Sequence, residues 1–329
     1  MTEIDADPPQ APAPALCIGE AMVLLASADA SLRIADAVDL HVAGAESNVA
    51  ISLAQLGARV EWFGRLGADP FGRRILDALA ARGVEAAVAP EHGARTGIYF
   101  KDSAGGGTQV LYYRDGSAAS RMGPDDLAAL RVPERRVCHL TGITPALSAS
   151  CAALVDAILD TPGATVSFDV NYRPGLWSVD DAAPALLAAA RRAGILFVGR
   201  DEAAVLWGTQ DADDVRALLP EPAVLVVKDA DIGATCWIGD DRVHVPAPAV
   251  DVVEPVGAGD AFAAGFLSEH LAGSDPATCL RTGHVMAARA LRHRGDTPPT
   301  VPAERIRELA RLDDDAWARL RFADAETLP

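Results

Sequence analysis

Thr165-Val166-Ser167-Phe168-Asp169 is a short apolar run that closes on a carboxylate, and the chain then repeats the theme. An Ala/Leu-rich helical pattern follows at 182–192, a second apolar run at 195–198, a helical pattern at 202–207 and a third apolar run at 223–227. Short strands alternating with helices imply a mostly parallel sheet covered on both faces. Upstream the same rhythm continues, with strand-like runs at 16–19, 60–64 and 137–140 and helical stretches at 49–56, 71–81 and 148–159. Downstream, 234–238 and 243–245 flank Gly239-Asp240-Asp241 and read as an antiparallel hairpin at a sheet edge. The last third is helical, at 259–271, 276–293 and 302–312. The expected fold class is α/β, in three layers around a mostly parallel central sheet.

One segment breaks the rhythm. Residues 96–102 and 108–114 alternate β-formers around Ser103-Ala104-Gly105-Gly106-Gly107, which is a hairpin pattern and not a βα unit. It is expected to pair with residues near 23–25 and 32–41 as a small β-sheet. Such a projection is a natural lid, with a plain structural edge hairpin as the alternative.

Composition narrows the function. The 329 residues carry 46 Asp+Glu against 29 Lys+Arg, a formal net charge of −17, and only Lys101 and Lys228 are lysines. Without a basic stripe, such a chain is not expected to track nucleic acid or an anionic membrane. Half the residues are hydrophobic, enough for a large core, and no apolar run approaches ~18 residues. The acidic start and the Pro-rich stretch at 8–14 read as a disordered tail over 1–14, not a signal peptide. Five scattered cysteines without a C-x-x-C read as reduced core thiols in a cytoplasmic protein, and the seven histidines show no ligand spacing.

The strongest chemical signal is Glu254-Pro255-Val256-Gly257-Ala258-Gly259-Asp260-Ala261-Phe262, at the head of a helical stretch. Small residues let backbone N–H groups approach an anion, and a helix N-terminus adds positive partial charge. Asp260 is costly at an anion site unless it accepts a proton from an attacking hydroxyl. Taken alone, the segment reads equally well as a glycine turn with an acidic cap.

This segment resembles the C-terminal signature of the ribokinase-like (PfkB) sugar kinases, D-T-x-G-A-G-D-x-F, with Glu254 and Pro255 in place of Asp and Thr. The N-terminal signature is similar too. It runs through Gly44-Ala45-Glu46-Ser47-Asn48-Val49-Ala50, Leu56-Gly57, and Gly64-Arg65-Leu66-Gly67-Ala68-Asp69-Pro70-Phe71-Gly72. The resemblance covers the chain from Leu16 to about Leu312. It implies a ribokinase-like α/β/α kinase domain over 15–312, with a β lid from about 20–43 and 94–118 and an extension at 313–329. It also implies ATP-dependent phosphorylation of a sugar hydroxyl, with Asp260 as general base and the Gly257, Ala258 and Gly259 amides as an anion hole. No G-x-x-x-x-G-K-[ST] is present, which excludes a P-loop kinase.

Within that family, Tyr112-Tyr113-Arg114-Asp115-Gly116-Ser117-Ala118-Ala119-Ser120 and Asp169-Val170-Asn171-Tyr172-Arg173-Pro174 resemble stretches of 2-keto-3-deoxygluconate kinases, as does Gly19-Glu20. A sugar-acid carboxylate suits arginine, whose fork binds carboxylates bidentately. The resemblance implies sugar-acid contacts from Gly44, Ala45, Glu46, Ser47, Asn48, Tyr99, Tyr112, Arg114, Arg173, Asp260 and Asp296. It assigns the nucleotide side to Asn171, Arg173, Lys228, Gly233, His284 and the Gly257–Asp260 loop. Two departures stand out. Ala230 replaces a glycine in the K-x-G-x-x-G turn, and His284 stands where Asn is usual. In the N-x-x-E metal motif, Gly199 replaces Asn, leaving Glu202 to hold Mg²⁺ through water or simply to cap a helix. The expected ligands are a small sugar acid, ATP and Mg²⁺, with no nucleic acid or membrane partner and a homo-oligomer paired through the lid. A fructokinase or other ribokinase-like sugar kinase, and a non-catalytic sugar-binding protein on the same fold, are the alternatives. A dinucleotide oxidoreductase is disfavoured because no strand is followed by G-x-G-x-x-G.

Overall fold

The computed structural model describes residues 14–27, 31–88, 91–102, 109–293 and 295–323. The strands, in chain order, are β1 Ala15–Ile18, β2 Met22–Ala26, β3 Asp39–Ala43, β4 Val60–Phe63, β5 Glu85–Ala86, β6 Ile98–Asp102, β7 Gln109–Tyr113, β8 Val137–Thr141, β9 Val166–Asp169, β10 Ile195–Gly199, β11 Val224–Asp229, β12 Gly233–Ile238, β13 Asp241–Pro246, β14 Ala249–Val250 and β15 Arg321–Phe322. Among the described residues, the central sheet runs β13-β12-β11-β10-β9-β8-β1-β4-β5. From β11 to β5 all neighbours are parallel, and β12 and β13 add the antiparallel edge hairpin expected around Gly239.

Strand alternation divides the core into two. Cys17, Ile195 and Phe197 face a cluster that includes Val49, Ile75, Phe262, Phe266 and Met286. Leu16, Ile18, Leu196 and Val198 face the opposite cluster, with Leu154, Leu186 and Leu206. Helices therefore cover both faces, because the central strands send apolar side chains to both clusters. Helix starts follow ordinary capping chemistry. Asp69 accepts from the Gly72 N–H ahead of Pro70–Ala81, Ser178 from the Asp181 N–H ahead of Val179–Arg192, and Asp275 from the Thr278 N–H ahead of Pro276–Leu291.

The lid is a separate sheet ordered β3-β2-β6-β7. β2 pairs antiparallel with β3 and parallel with β6, and β6 pairs antiparallel with β7. The expected turn at 103–107 and the expected tail at 1–13 lie outside the described residues. Asp69 does a second job here. Its other oxygen accepts from the Thr96 N–H at 2.8 Å, tying the lid hairpin to the body.

One expectation needs correction, and one segment gains detail. Only Asp39–Ala43 of the stretch near 32–41 joins the lid as a strand. The segment after Leu312, expected as an extension, folds back as helix Asp314–Ala318 and β15, which pairs with β14 and buries Trp317, Leu320 and Phe322. Three large apolar side chains in that short stretch are the reason, since each gains about 1.5–3 kcal/mol by leaving water. All five cysteines are free and buried, as expected of core thiols. No helix among the described residues is long and apolar enough to cross a membrane.

Candidate active site

The helix Ala258–Ala272 is buried along most of its length and held by an edge-to-face contact between Phe266 and Phe197 of β10, with ring centroids 5.4 Å apart. Its N-cap, Gly257, has φ 83, and a Cβ there would stand 2.7 Å from the Asp296 carbonyl oxygen. Only glycine fits both the left-handed backbone and that close approach. The geometry aims the first turn of the helix, and with it Asp260, at the carboxyl ends of the central strands. Ligands of open α/β sheets bind at that edge.

Asp260 is buried. Its Oδ2 accepts from Asn48 Nδ2 at 2.9 Å and its Oδ1 from Asn171 Nδ2 at 3.4 Å. Burial raises its carboxyl to about 7; the Asn48 hydrogen bond and Arg173 pull the other way, and Asp169 and Asp296 push it further up. A carboxylate poised near neutrality is suited to taking a proton at physiological pH. Asn171 reaches it from a left-handed turn after β9, with φ 40.

A cavity of about 570 Å³ opens beside Asp260, walled by Asp169, Arg173, Glu202 and Lys228. Lys228, near the end of β11, donates to Asp169 Oδ2 at 2.6 Å. Its Nζ lies 3.5 Å from where a Gly259 Cβ would sit, so ammonium and helix N-terminus converge. Burial works against that ammonium, yet the Asp169, Glu202 and Asp260 carboxylates outweigh it and hold Lys228 above its ordinary value. Both oxygens of Glu202 are engaged by backbone N–H groups, Tyr172 at 2.9 Å and Gly199 at 2.9 Å. It is a helix cap first. Ala230 takes the left-handed conformation, φ 43, that glycine would supply, so the turn after β11 is kept at a steric cost.

On the other side of Asp260 a smaller cavity of about 70 Å³ is lined by Asn48, Tyr99, Tyr112, Arg114, Arg173 and Asp296, among others. Tyr99 and Tyr112 sit opposite each other on β6 and β7, ring centroids 5.4 Å apart, and form the lid's inner face. Tyr99 donates to Asp296 Oδ2 at 3.3 Å. Arg114 is buried in an ion pair with Glu20, which also accepts from Ser117 Oγ at 2.7 Å. Burial raises Glu20 above its ordinary value, opposed by Arg114 and Ser117. Arg173, by contrast, is exposed and donates only to the carbonyl of Tyr172, at 3.1 Å.

Most of the expected residues meet here. Gly44, which caps helix Ala45–Gln55, and Ala45, Glu46, Asn48, Arg114, Arg173, Tyr99, Tyr112, Asp260 and Asp296 line the smaller cavity. Asn171, Lys228 and Gly259 line the larger one, and Gly257 lines both. Others do not come to the site as expected. Glu46, though at the wall of the smaller cavity, turns one carboxylate oxygen to Thr141 and Thr144 at 2.7 and 2.9 Å and fills the space under Gly19. Ser47 donates to the Gly44 carbonyl and lines neither cavity. His284 also lines neither. It is packed edge-to-face on Phe262 with Nε2 on the Val245 carbonyl, and burial pulls its imidazole down to about 4. Gly233 lines neither as well, because its absent Cβ accommodates the Val245 carbonyl of β13.

Sequence reasoning missed Lys101, Glu20, Glu254 and Asp169 as site residues. Lys101 is buried and donates to Asp296 at 3.3 Å, with Glu254 at 3.7 Å. Its signal was strand alternation, since Tyr99 and Lys101 are two apart on β6 and must share a face. The two lysines of this lysine-poor chain thus both line one cavity.

Comparison with known proteins agrees with this geometry. A family model for pfkB family carbohydrate kinases matches residues 14–304. The chain is 34% identical to 2-dehydro-3-deoxygluconokinase of Thermoproteus tenax, over 92% of this chain and 95% of that one. It is 33% identical to 2-dehydro-3-deoxygalactonokinase of Haloferax volcanii, over 87% and 93%. Plant fructokinases also match, over less of the chain. Among solved structures, a PfkB protein from Polaromonas sp. JS666 superposes with a TM-score of 0.81 at 34% identity, covering 92% of this chain and all of that one.

Proposed function

The chain belongs to the pfkB family of carbohydrate kinases, and from that premise we propose that it transfers the γ-phosphoryl group of ATP to the 6-hydroxyl of a sugar acid, 2-keto-3-deoxygluconate. That it is an ATP-dependent sugar kinase follows from the family. The sugar-acid reading rests most directly on one observation. An exposed Arg173, which forms no ion pair among the described residues, stands between the two cavities beside Asp260. A carboxylate-bearing substrate provides the partner that the protein does not. The similarity to 2-dehydro-3-deoxygluconokinase supports the same choice.

In this reading the sugar lies under Tyr99 and Tyr112, with Asn48 and Asp296 on its hydroxyls. Asn48 Oδ1 is buried and accepts no hydrogen bond from the protein, which suits a substrate hydroxyl. Asp260 takes the proton of the attacking hydroxyl, a step worth ~10²–10⁴ in rate. The Gly257–Gly259 amides and Lys228 stabilise charge on the transferring phosphoryl group, preorganised by the helix start and by the Asp169 ion pair. The nucleotide occupies the larger cavity over the turn at Ala230; His284 has no part in it. Asp169 Oδ1 is buried without a hydrogen-bond donor, so Asp169 fits Mg²⁺ through water, with Glu202 beside it. Bound with ATP, that ion supplies neutralisation of phosphate charge. Lid pairing between subunits is also part of the proposal, through the exposed Leu111 and Tyr113 of β7.

A second reading, a kinase of neutral hexoses such as fructose, is favoured by the Glu20–Arg114 pair, which neutralises one of the two arginines. An ADP-release assay over sugar acids and neutral sugars separates them. The proposal expects the highest kcat/KM for 2-keto-3-deoxygluconate, and a large rise in its KM in Arg173→Ala with little change for a neutral sugar. Equal or better turnover of fructose or ribose would overturn it.

A further inference from the structure

Lid strand β3, the helix Pro70–Ala81, and His293 with residues 295–297 border a further cavity of about 260 Å³, behind Asp296 as seen from the sugar side. Arg74, Arg82, His41 and His293 line it. Among its described lining residues the only carboxylate is Asp296, whose two oxygens already accept from Tyr99 and Lys101. Arg74 gives one N–H to the Leu40 carbonyl at 2.7 Å, and Arg82 gives one to the Pro298 carbonyl at 3.2 Å. Neither forms an ion pair among the described residues. Arg73, the next residue in sequence, pairs with Asp77 in the way this acidic chain treats most of its arginines.

A third cation lies close by. Arg289 is buried, donating to the Pro299 carbonyl, and burial followed by the charge of Arg82 pulls its guanidinium down to about 10. Like charges gathered in a partly dry pocket repel, and an anion entering it relieves that repulsion. A guanidinium pair with imidazoles beside it is the donor set that a phosphate group recognises. The cavity is also wired to the site. The Pro298 carbonyl that Arg82 holds also accepts from Gln55, at 3.0 Å. Two residues before it, Asp296 packs its carbonyl against Gly257 and anchors lid residues Tyr99 and Lys101.

We infer that this cavity is an anion site for a phosphate group, free or carried by a small molecule, and that its occupancy adjusts the affinity of the neighbouring sugar pocket through Arg82 and the 296–298 segment. A ligand drawing on Arg82 acts first on the loop that positions Asp296 and the lid. Sugar affinity is therefore the quantity that reads its occupancy.

The test uses full-length enzyme whose nucleotide site is first filled with a non-hydrolysable ATP analogue. Inorganic phosphate and a hexose 6-phosphate are titrated calorimetrically into wild type and into the double variant Arg74→Gln/Arg82→Gln. The site predicts binding to wild type that weakens at least tenfold in the variant. Tighter binding of the hexose phosphate identifies a carried phosphate, and equal binding a free one. No binding to wild type, or equal binding to both proteins, overturns the site. In kinetics at saturating ATP, the ligand shifts the sugar KM at least twofold in wild type and not in the variant; an unmoved KM in wild type overturns the coupling. The binding arm needs no knowledge of the sugar, so its failure is distinct from failure of the sugar-acid reading. Arg74→Glu supplies an internal anion and in phosphate-free buffer raises the melting temperature. A fall would mean that Arg74 serves only to cap the Leu40 carbonyl, and would overturn the electrostatic argument.

Discussion

Replacing Asp260 by Asn separates what the carboxylate does for chemistry from what it costs the fold. The carboxyl is displaced by burial from an ordinary 3.8 to about 7. Below the lower value, folded and unfolded chains both hold the proton, and charge contributes nothing. As pH rises from 3.8 towards about 7, the unfolded chain releases the proton while the folded chain keeps it, so wild-type stability falls. Above about 7 the loss is complete, about 4 kcal/mol at about 1.4 kcal/mol per factor of ten. The amide removes that penalty. The Asn48 hydrogen bond is already counted in that displaced value. No donor need face a donor, because Asn171 Oδ1 has no partner among the described residues and its amide can turn over. Asp260→Asn should therefore be about 4 kcal/mol more stable than wild type near pH ~8 and about 1–2 kcal/mol more stable near pH ~5. Its kcat should fall by ~10²–10⁴. Urea unfolding at the two pH values, with an ADP-release assay on the same preparations, measures all three quantities. A variant no more stable than wild type at the higher pH, or stabilised equally at both, would refute the buried-charge argument. A variant that keeps its turnover would refute the general-base role.

The remaining predictions follow from single contacts. In wild type, kcat/KM should drop about tenfold per pH unit below about 7 as Asp260 takes up its proton, and a flat profile down to pH ~5 would exclude it as the base. Ala230→Gly relieves a left-handed alanine and should add about 0.5–1 kcal/mol to stability, read from the urea midpoint. Lys101→Met leaves Asp296 and Glu254 without their buried cation and should cost about 3–5 kcal/mol, with a raised sugar KM. If its KM stays at the wild-type value, the lysine is not positioning Asp296. Gly257→Ala drives a Cβ against the Asp296 carbonyl and should reduce kcat as well as stability, whereas unchanged kcat would show that the loop's backbone is not critical.

How much of the site could be read depended on sequence distance. Gly257 to Asp260 are contiguous, so their chemistry was legible as a string, and Asn48, Arg114, Arg173 and Asp296, which the fold brings to one cavity, each sit in a short recognisable pattern. Nothing in the sequence around Glu20 or Lys101 names the partner that each one pairs with. Their pairings arise only when the lid folds onto the body, across 94 residues to Arg114 and 195 to Asp296. His284 is the converse case. It sits in a recognisable motif position, but the fold packs its ring against Phe262 and the Val245 carbonyl, and it lines neither cavity.

The amino-acid string by itself determined the alternation of strands and helices, the lid hairpin, the glycine loop and the excess of negative charge. These are local properties, set by side-chain periodicity, backbone freedom and composition. Which charges neutralise one another was decided only when the sheet assembled. Lys228 on Asp169, Lys101 on Asp296 and Arg114 on Glu20 are each buried pairs between elements distant in sequence. A Coulomb interaction depends on separation in space and on exclusion of water, and neither is written in the order of residues. Arg173 left free beside Asp260, and Arg74 and Arg82 left together behind Asp296, are what that pairing leaves over.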